Sequence, residues 1–190
     1  GRALTLLACL VMPLNLWFYH SYKLLTLENH LWVAGLVCCG IYTASAFVLR
    51  DHLFVYVLVA GITLTGLLML AQERDHIEQV FYPTVLLVAI GLICLHLERA
   101  FPPGDGPFSR ERFGMAFYWS SQPLFAAGLL LLMGAQFVGW LHEPIFRPIF
   151  RVQNMPDVAT RPFLPFTLMI VLAGTYAYIY SDLVVRRIGV

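Results

Sequence analysis

The chain has 190 residues and a net charge of +1, and 59% of its residues are hydrophobic while 12% are charged. Soluble domains carry about 25% charged residues, so this composition excludes a soluble globular domain or a long aqueous tail. The charge balance also excludes the basic surface that nucleic-acid binding requires, and we predict no nucleic-acid partner.

Six apolar runs follow one another along the chain, and each is about long enough to cross a bilayer. A hydrocarbon core about 30 Å thick requires about 20 residues in an α-helix. Aromatic residues cluster at the ends of the runs, as expected for rings at the level of the lipid headgroups. We therefore predict an all-α, polytopic integral membrane bundle of about six transmembrane helices in a single domain over residues 1–190, with spans at 3–19, 31–49, 53–71, 81–97, 115–141 and 163–181.

The second and third predicted spans are joined by only a few polar residues, 50–52, which predicts a tight antiparallel hairpin. Small residues recur at a spacing of four in the second span, as Gly35 with Cys39 and as Gly40 with Ala44. This spacing allows helix backbones to approach closely, so we expect these residues to pack inside the bundle.

The fourth predicted span ends in ionisable residues, His96, Glu98 and Arg99. An ionisable group inside a membrane span is costly and suggests a functional site. His96 is therefore the candidate for binding a haem or a quinone, or for passing a proton. The alternative is structural: Glu98 and Arg99 reach water at the interface, and His96 makes a neutral hydrogen bond.

Proline and glycine are concentrated in two longer connections, at residues 101–107 and 144–165. This composition excludes helix and predicts connections on the surface. From Pro144 to Arg151 apolar pairs alternate with single arginines. That pattern predicts a segment lying along the membrane interface, with a docking surface for another membrane subunit as the alternative.

Few polar residues lie inside the predicted spans. Asn15, Thr63 and Gln136 are the candidates for transport or for polar contacts between helices. A transporter would place such groups beside broken helices near the middle of the membrane. We favour interhelical hydrogen bonding as their role, since it needs no broken helix.

The distribution of cations predicts the orientation in the membrane. Arginine and lysine are more frequent at the two termini and in the second and fourth loops than in the other loops. By the positive-inside rule both termini face the cytoplasm, in a plasma or inner membrane. Spans five and six partly echo spans one and two, which suggests a four-helix unit followed by the start of a parallel repeat, and hence a fragment of a longer protein.

Motifs for catalysis and metal binding are missing from the sequence. There is no GxSxG, HExxH or P-loop motif, and no span contains paired carboxylates. The four cysteines lack the spacing of a metal site, and we predict no metal and no resident cofactor; they are Cys9, Cys38, Cys39 and Cys94.

These observations lead to three hypotheses for function. The first is a non-catalytic integral membrane module, a structural, anchoring or sensory part of a larger membrane protein or complex, whose partners are the lipid bilayer and other membrane helices or subunits. The second is a small-solute transporter or channel domain. The third is a redox subunit that binds haem or quinone near His96. An enzyme is disfavoured because no catalytic motif is present.

Overall fold

Six long helices account for most of the chain. The computed structural model describes residues 2–24, 30–72, 81–141, 144, 147–150 and 164–188. All regular structure in these ranges is helical, which confirms the all-α fold class. The long helices are α1 (Arg2–Ser21), α2 (Leu31–Leu49), α3 (Leu53–Gln72), α4 (Phe81–Leu97), α5 (Met115–Leu141) and α6 (Leu164–Ile188).

Short helical turns occupy part of the connections. A 3₁₀ turn, Glu98–Ala100, follows α4, and a π-helical turn, Arg110–Gly114, precedes α5.

Between α5 and α6 a single helical turn spans Arg147–Phe150, and α6 already begins at Leu164. The prediction that residues 144–165 exclude helix is wrong at these two places, because a proline is tolerated in the first turn of a helix, where Pro148 and Pro165 lie. The rest of the predicted interfacial segment around Arg147–Phe150 lies almost entirely outside the described residues.

Five stretches of the described chain are long and apolar enough to cross a membrane: Leu31–Leu49, Leu53–Gln72, Phe81–Ala100, Arg110–Val138 and Thr167–Arg186. The first predicted span is also a helix, α1, but it is not among these five, so its crossing stays a prediction. Helix α6 continues well beyond the predicted end of the sixth span at residue 181. Two features stabilise these additional turns. Asp182 and Arg186, four residues apart on the helix, form an ion pair at 2.9 Å, and the Val184 side chain is buried.

Helices α2 and α3 form the expected tight hairpin. Arg50 turns the chain with a left-handed backbone (φ 51°), and the Asp51 carboxylate accepts a hydrogen bond from the Leu53 backbone N–H at 3.1 Å. At the far end of the hairpin the Trp32 indole donates to the Gln72 side-chain oxygen at 2.8 Å. Both ends of the hairpin are therefore fixed by hydrogen bonds or backbone geometry.

The small residues of α2 divide between two faces. Gly35 and Cys39 are buried against α3, where a Cβ on Gly35 would lie only 2.5 Å from the Thr65 hydroxyl oxygen. Gly40 and Ala44 are exposed, and a Cβ on Gly40 would meet nothing within 4 Å. The expectation of inward packing is wrong for this second pair, because successive small residues in a helix point about 100° apart.

Two apolar cores share the α4–α5 hairpin as a common wall. The first core lies between α2, α3, α4 and the beginning of α5, and its largest members are Tyr42, Phe54, Leu87 and Phe113. The second lies between α4, α5 and α6 and includes Leu95, Tyr118, Phe125 and Ile170. The connection between α4 and α5 consequently lies at one end of both cores.

Candidate functional site

The connection between α4 and α5 is folded against the first core. Phe101 and Phe108 both contact Phe113, with ring centroids 5.9 and 5.1 Å apart. Phe113 is only 2% exposed. Residues 102–107 are all exposed and none of them is helical, which confirms the expected surface connection, while the phenylalanines on either side of it pack against Phe113.

Hydrogen bonds close this connection into a compact unit. The Arg110 backbone N–H donates to the Pro102 carbonyl at 2.8 Å, and the Gly104 N–H donates to the Glu111 carboxylate at 3.1 Å. The Ser109 carbonyl then accepts from the Phe113 N–H at 2.9 Å and from the Gly114 N–H at 3.5 Å, and the second of these bonds has the five-residue spacing of a π-helix. Arg110 is thereby held at the base of the connection, directly beside the end of α4.

Glu98 is buried at this point, with 3% of its surface exposed. Arg110 Nε lies 3.4 Å from Glu98 Oε1, an ion pair that falls short of hydrogen-bond geometry. The Tyr180 hydroxyl of α6 donates to Glu98 Oε2 at 3.4 Å. The expectation that Glu98 reaches water is wrong, because the π-helical turn and α6 cover its carboxylate.

The backbone beside Glu98 requires a glycine. A Cβ placed on Gly114 would lie 2.7 Å from the Glu98 carbonyl oxygen. Because that oxygen belongs to the backbone, a larger residue at position 114 would separate the π-helical turn from the end of α4. Gly114 thus permits the close approach that brings Arg110 to Glu98.

His96 lies two residues before Glu98 and is exposed at the end of α4. Its Nε2 and the Tyr176 hydroxyl oxygen are 3.1 Å apart, and its ring meets the Tyr180 ring edge-on at 5.2 Å. The Arg99 guanidinium also contacts Tyr180 and lies 4.7 Å from the centroid of its ring. We refer to His96, Glu98, Arg99, Arg110, Tyr176 and Tyr180 together as the Glu98 cluster.

The Glu98 cluster joins α4, the π-helical turn and α6 at one end of the bundle. Glu98 engages a cation and a phenol, and His96 engages a second phenol. Among the described residues no three His, Cys, Asp or Glu side chains lie close enough together to hold a metal ion. A haem or quinone at His96 would have to share that side chain with Tyr176.

The other predicted site residues lie on three different helices. Asn15 is exposed on α1. The Thr63 hydroxyl donates to the Val59 carbonyl of its own helix at 2.8 Å, and Gln136 Nε2 of α5 donates to the Thr167 hydroxyl of α6 at 3.4 Å. No described hydrogen bond joins these three side chains to one another.

A cavity of about 580 Å³ opens between α3 and α5. Thr63 lies on its wall together with Ala60 of α3, and Trp119, Ser120 and Pro123 of α5 form the opposite wall. No residue that lines it carries a charge, and most of its lining side chains are apolar.

Sequence reasoning missed Arg110, Tyr176 and Tyr180 as members of the cluster. Arg110 looked like an ordinary loop cation, and both tyrosines looked like part of an apolar span. A possible signal was the carboxylate of Glu98 directly after an apolar run, since a buried carboxylate needs a cation or hydrogen-bond donors. Comparison with known proteins finds no protein family, no curated protein and no solved structure that matches this chain.

Proposed function

We propose that this chain is a non-catalytic integral membrane module, a structural or anchoring part of a larger membrane protein or complex in a plasma or inner membrane. The observation that favours this function is the use of Glu98. Its carboxylate is buried and engaged by Arg110 and Tyr180, so it joins helices rather than facing a substrate. A charged group used in this way stabilises one arrangement of elements.

A small-solute transporter is the second candidate, and the cavity beside Thr63 is the feature that bears on it. A transport path for polar solutes needs polar groups facing open space near the middle of the membrane. Here the Thr63 hydroxyl donates within its own helix, and most of its neighbours in the cavity are apolar. This geometry supports the module over the transporter.

A redox role at His96 is the third candidate. The ring is exposed at the end of α4 and lies between two tyrosines, Tyr176 and Tyr180. Such a position could admit a membrane-borne quinone. Absorption spectra of the purified protein, with His96→Ala and His52→Ala compared, would reveal bound haem or quinone.

Two measurements on one preparation test the proposal. The chain is tagged within its natural full-length product, extracted in mild detergent and weighed by native mass spectrometry. We expect one assembly in which the other subunits or domains are present at a fixed ratio. The same material in proteoliposomes should give solute and ion fluxes equal to those of empty liposomes.

A solute flux that Thr63→Val abolishes would replace the module with the transporter. Haem or quinone bands that disappear in His96→Ala, but persist in His52→Ala, would replace it with the redox subunit. Recovery of a catalytically inert monomer with no fixed partner or attached domain would also contradict the proposal.

A further inference from the structure

We propose that the cavity between α3 and α5 binds a neutral, single-tailed lipid with a hydroxyl headgroup. This binding goes beyond the structural role proposed above and does not depend on it. The proposal depends on the direction of the cavity, the hydrogen-bonding groups on its walls and the absence of charge among its lining residues.

The cavity extends from one membrane boundary toward the middle of the bilayer. The starts of α3 and α5 lie on the same side, because α4 crosses back between them. Tyr56 and Trp119 lie about one turn from those starts, whereas Leu67 lies about 16 Å further along α3. An elongated molecule could therefore place its head beside the two aromatic residues and its tail beside Leu67.

Pro123 removes the usual donor of a backbone acceptor beside the cavity. Proline has no N–H, so the Trp119 carbonyl lacks the donor that residue 123 would supply in an uninterrupted helix. Trp119 and Pro123 both line the cavity, so this carbonyl lies between two residues of its wall. Inside a membrane an unsatisfied carbonyl costs several kcal/mol, so a bound donor is favoured there.

Two hydroxyl groups on the walls add acceptors as well. The Thr63 hydroxyl donates to the Val59 carbonyl and the Ser120 hydroxyl donates to the Ala116 carbonyl, each at 2.8 Å. With their protons engaged within their own helices, both oxygens can only accept from a ligand. The interior walls thus favour an occupant that donates a hydrogen bond.

Size and charge define the rest of the ligand. A volume of about 580 Å³ lies within the range of about 300–1,000 Å³ typical of small-molecule sites. No lining residue is charged, so an ionic phosphate head would remain unpaired here. A long-chain alcohol or a similar neutral lipid with one tail fits these conditions.

Photolabelling in proteoliposomes tests the proposal with the whole chain. The probe is hexadecanol with a diazirine near its head, and its methyl ether is the comparison because it lacks the donated proton. We expect saturable labelling of α3 and α5, with the alcohol preferred about five-fold, as expected for one net hydrogen bond of about 1 kcal/mol. Equal labelling by both probes would overturn the proposal.

Two variants locate the site and the acceptor. Ala60→Trp fills the cavity and should remove the labelling by both probes, whereas the matched exposed variant Ala44→Trp should label like the natural chain. Pro123→Ala restores the backbone donor to Trp119, so the preference for the alcohol should fall while labelling of the cavity persists. Labelling that Ala60→Trp leaves unchanged, or a disulfide between two copies of an Ala60→Cys variant, would refute lipid binding at this site.

Discussion

The carboxylate of Glu98 is buried, so its energetic cost depends on the partners that remain beside it. Removing an ion from water costs several kcal/mol, and this cost is offset only if a partner remains close. Arg110 supplies the opposite charge at 3.4 Å, and Tyr180 supplies a hydrogen bond. The two members of the ion pair differ, because Arg110 is 31% exposed whereas Glu98 is 3% exposed.

Arg110→Leu should destabilise the protein more than Glu98→Gln does. The first change leaves a buried carboxylate without its cation, and we expect the free energy of unfolding to fall by about 3 kcal/mol. Glu98→Gln leaves the Arg110 side chain partly in contact with solvent and keeps an acceptor for the Tyr180 hydroxyl. We therefore expect a smaller loss in the free energy of unfolding for Glu98→Gln. Unfolding by SDS titration in mixed micelles measures both.

The double variant Glu98→Gln with Arg110→Leu completes the cycle, since it removes both charges and should recover most of the loss. Asp182→Asn is the control, because Asp182 pairs with Arg186 in an exposed position and should change stability by under about 0.5 kcal/mol. If Arg110→Leu behaves like Asp182→Asn, Glu98 is not an energetically important buried charge.

Among the elements, the α2–α3 hairpin depends on a close contact at one glycine. A Cβ at Gly35 would enter the space of the Thr65 hydroxyl, which donates to the Gly61 carbonyl and contacts Cys39 Sγ at 3.7 Å. The buried residues of α2 recur at the spacing of one helix face, so a disturbance at Gly35 affects the whole interface.

Gly35→Ala should lower the free energy of unfolding by about 1–3 kcal/mol, as expected for overpacking at a tight contact. Gly40→Ala on the same helix provides the matched control. A Cβ added at Gly40 would meet no atom within 4 Å, so the substitution should be neutral or slightly stabilising. Heat unfolding of the two variants side by side gives the comparison.

Thr65→Ala in the Gly35→Ala background removes the group that the new methyl meets, and part of the lost stability should return. A Gly35→Ala variant as stable as the Gly40→Ala variant would show that Gly35 and Thr65 are further apart than the 2.5 Å contact of an added Cβ implies.

The sequence predicts most of the helices well and the contacts of residues 98–114 poorly, for a physical reason. An apolar run of bilayer length determines a helix almost alone, so α2, α4 and α5 begin and end at the expected residues. The folding of residues 98–114 depends instead on groups distant in sequence. Glu98 is covered by Tyr180, and Phe108 packs on Phe47 of α2. No local pattern around Glu98 or Phe108 indicates such partners.

For the molecule as a whole, the sidedness and the role of α1 remain predictions with a direct test. If α1 crosses the membrane and the termini are cytoplasmic, the beginning of α1 and the α4–α5 connection face the same side, while the end of α1 faces the other. Single cysteines can report which side each of these places faces, once the native cysteines are replaced by alanine. Ala3→Cys marks the beginning of α1, Lys23→Cys its end and Asp105→Cys the α4–α5 connection.

A membrane-impermeant maleimide should label the cysteines at 3 and 105 in inside-out vesicles and the cysteine at 23 in right-side-out vesicles. Labelling of positions 3 and 23 from the same side would show that α1 does not cross. Labelling of position 105 from the outside would reverse the predicted orientation. The proposed repeat of a four-helix unit stays a prediction, because no described contact bears on it.

The position of Tyr180 also affects how α6 would separate from the rest of the bundle. Helix α6 packs mainly on α4 and α5. Its polar contacts in the described residues include the bond of Tyr180 to Glu98, the contact of Tyr176 with His96, and the bonds from Gln122 to Ser181 and from Gln136 to Thr167. The hairpins α2–α3 and α4–α5 are each packed far more extensively. Detachment of α6 should therefore cost less than opening either hairpin, and it would uncover one oxygen of a carboxylate that is otherwise enclosed. The same residue that completes the interior in the intact bundle therefore raises the free energy needed to detach α6.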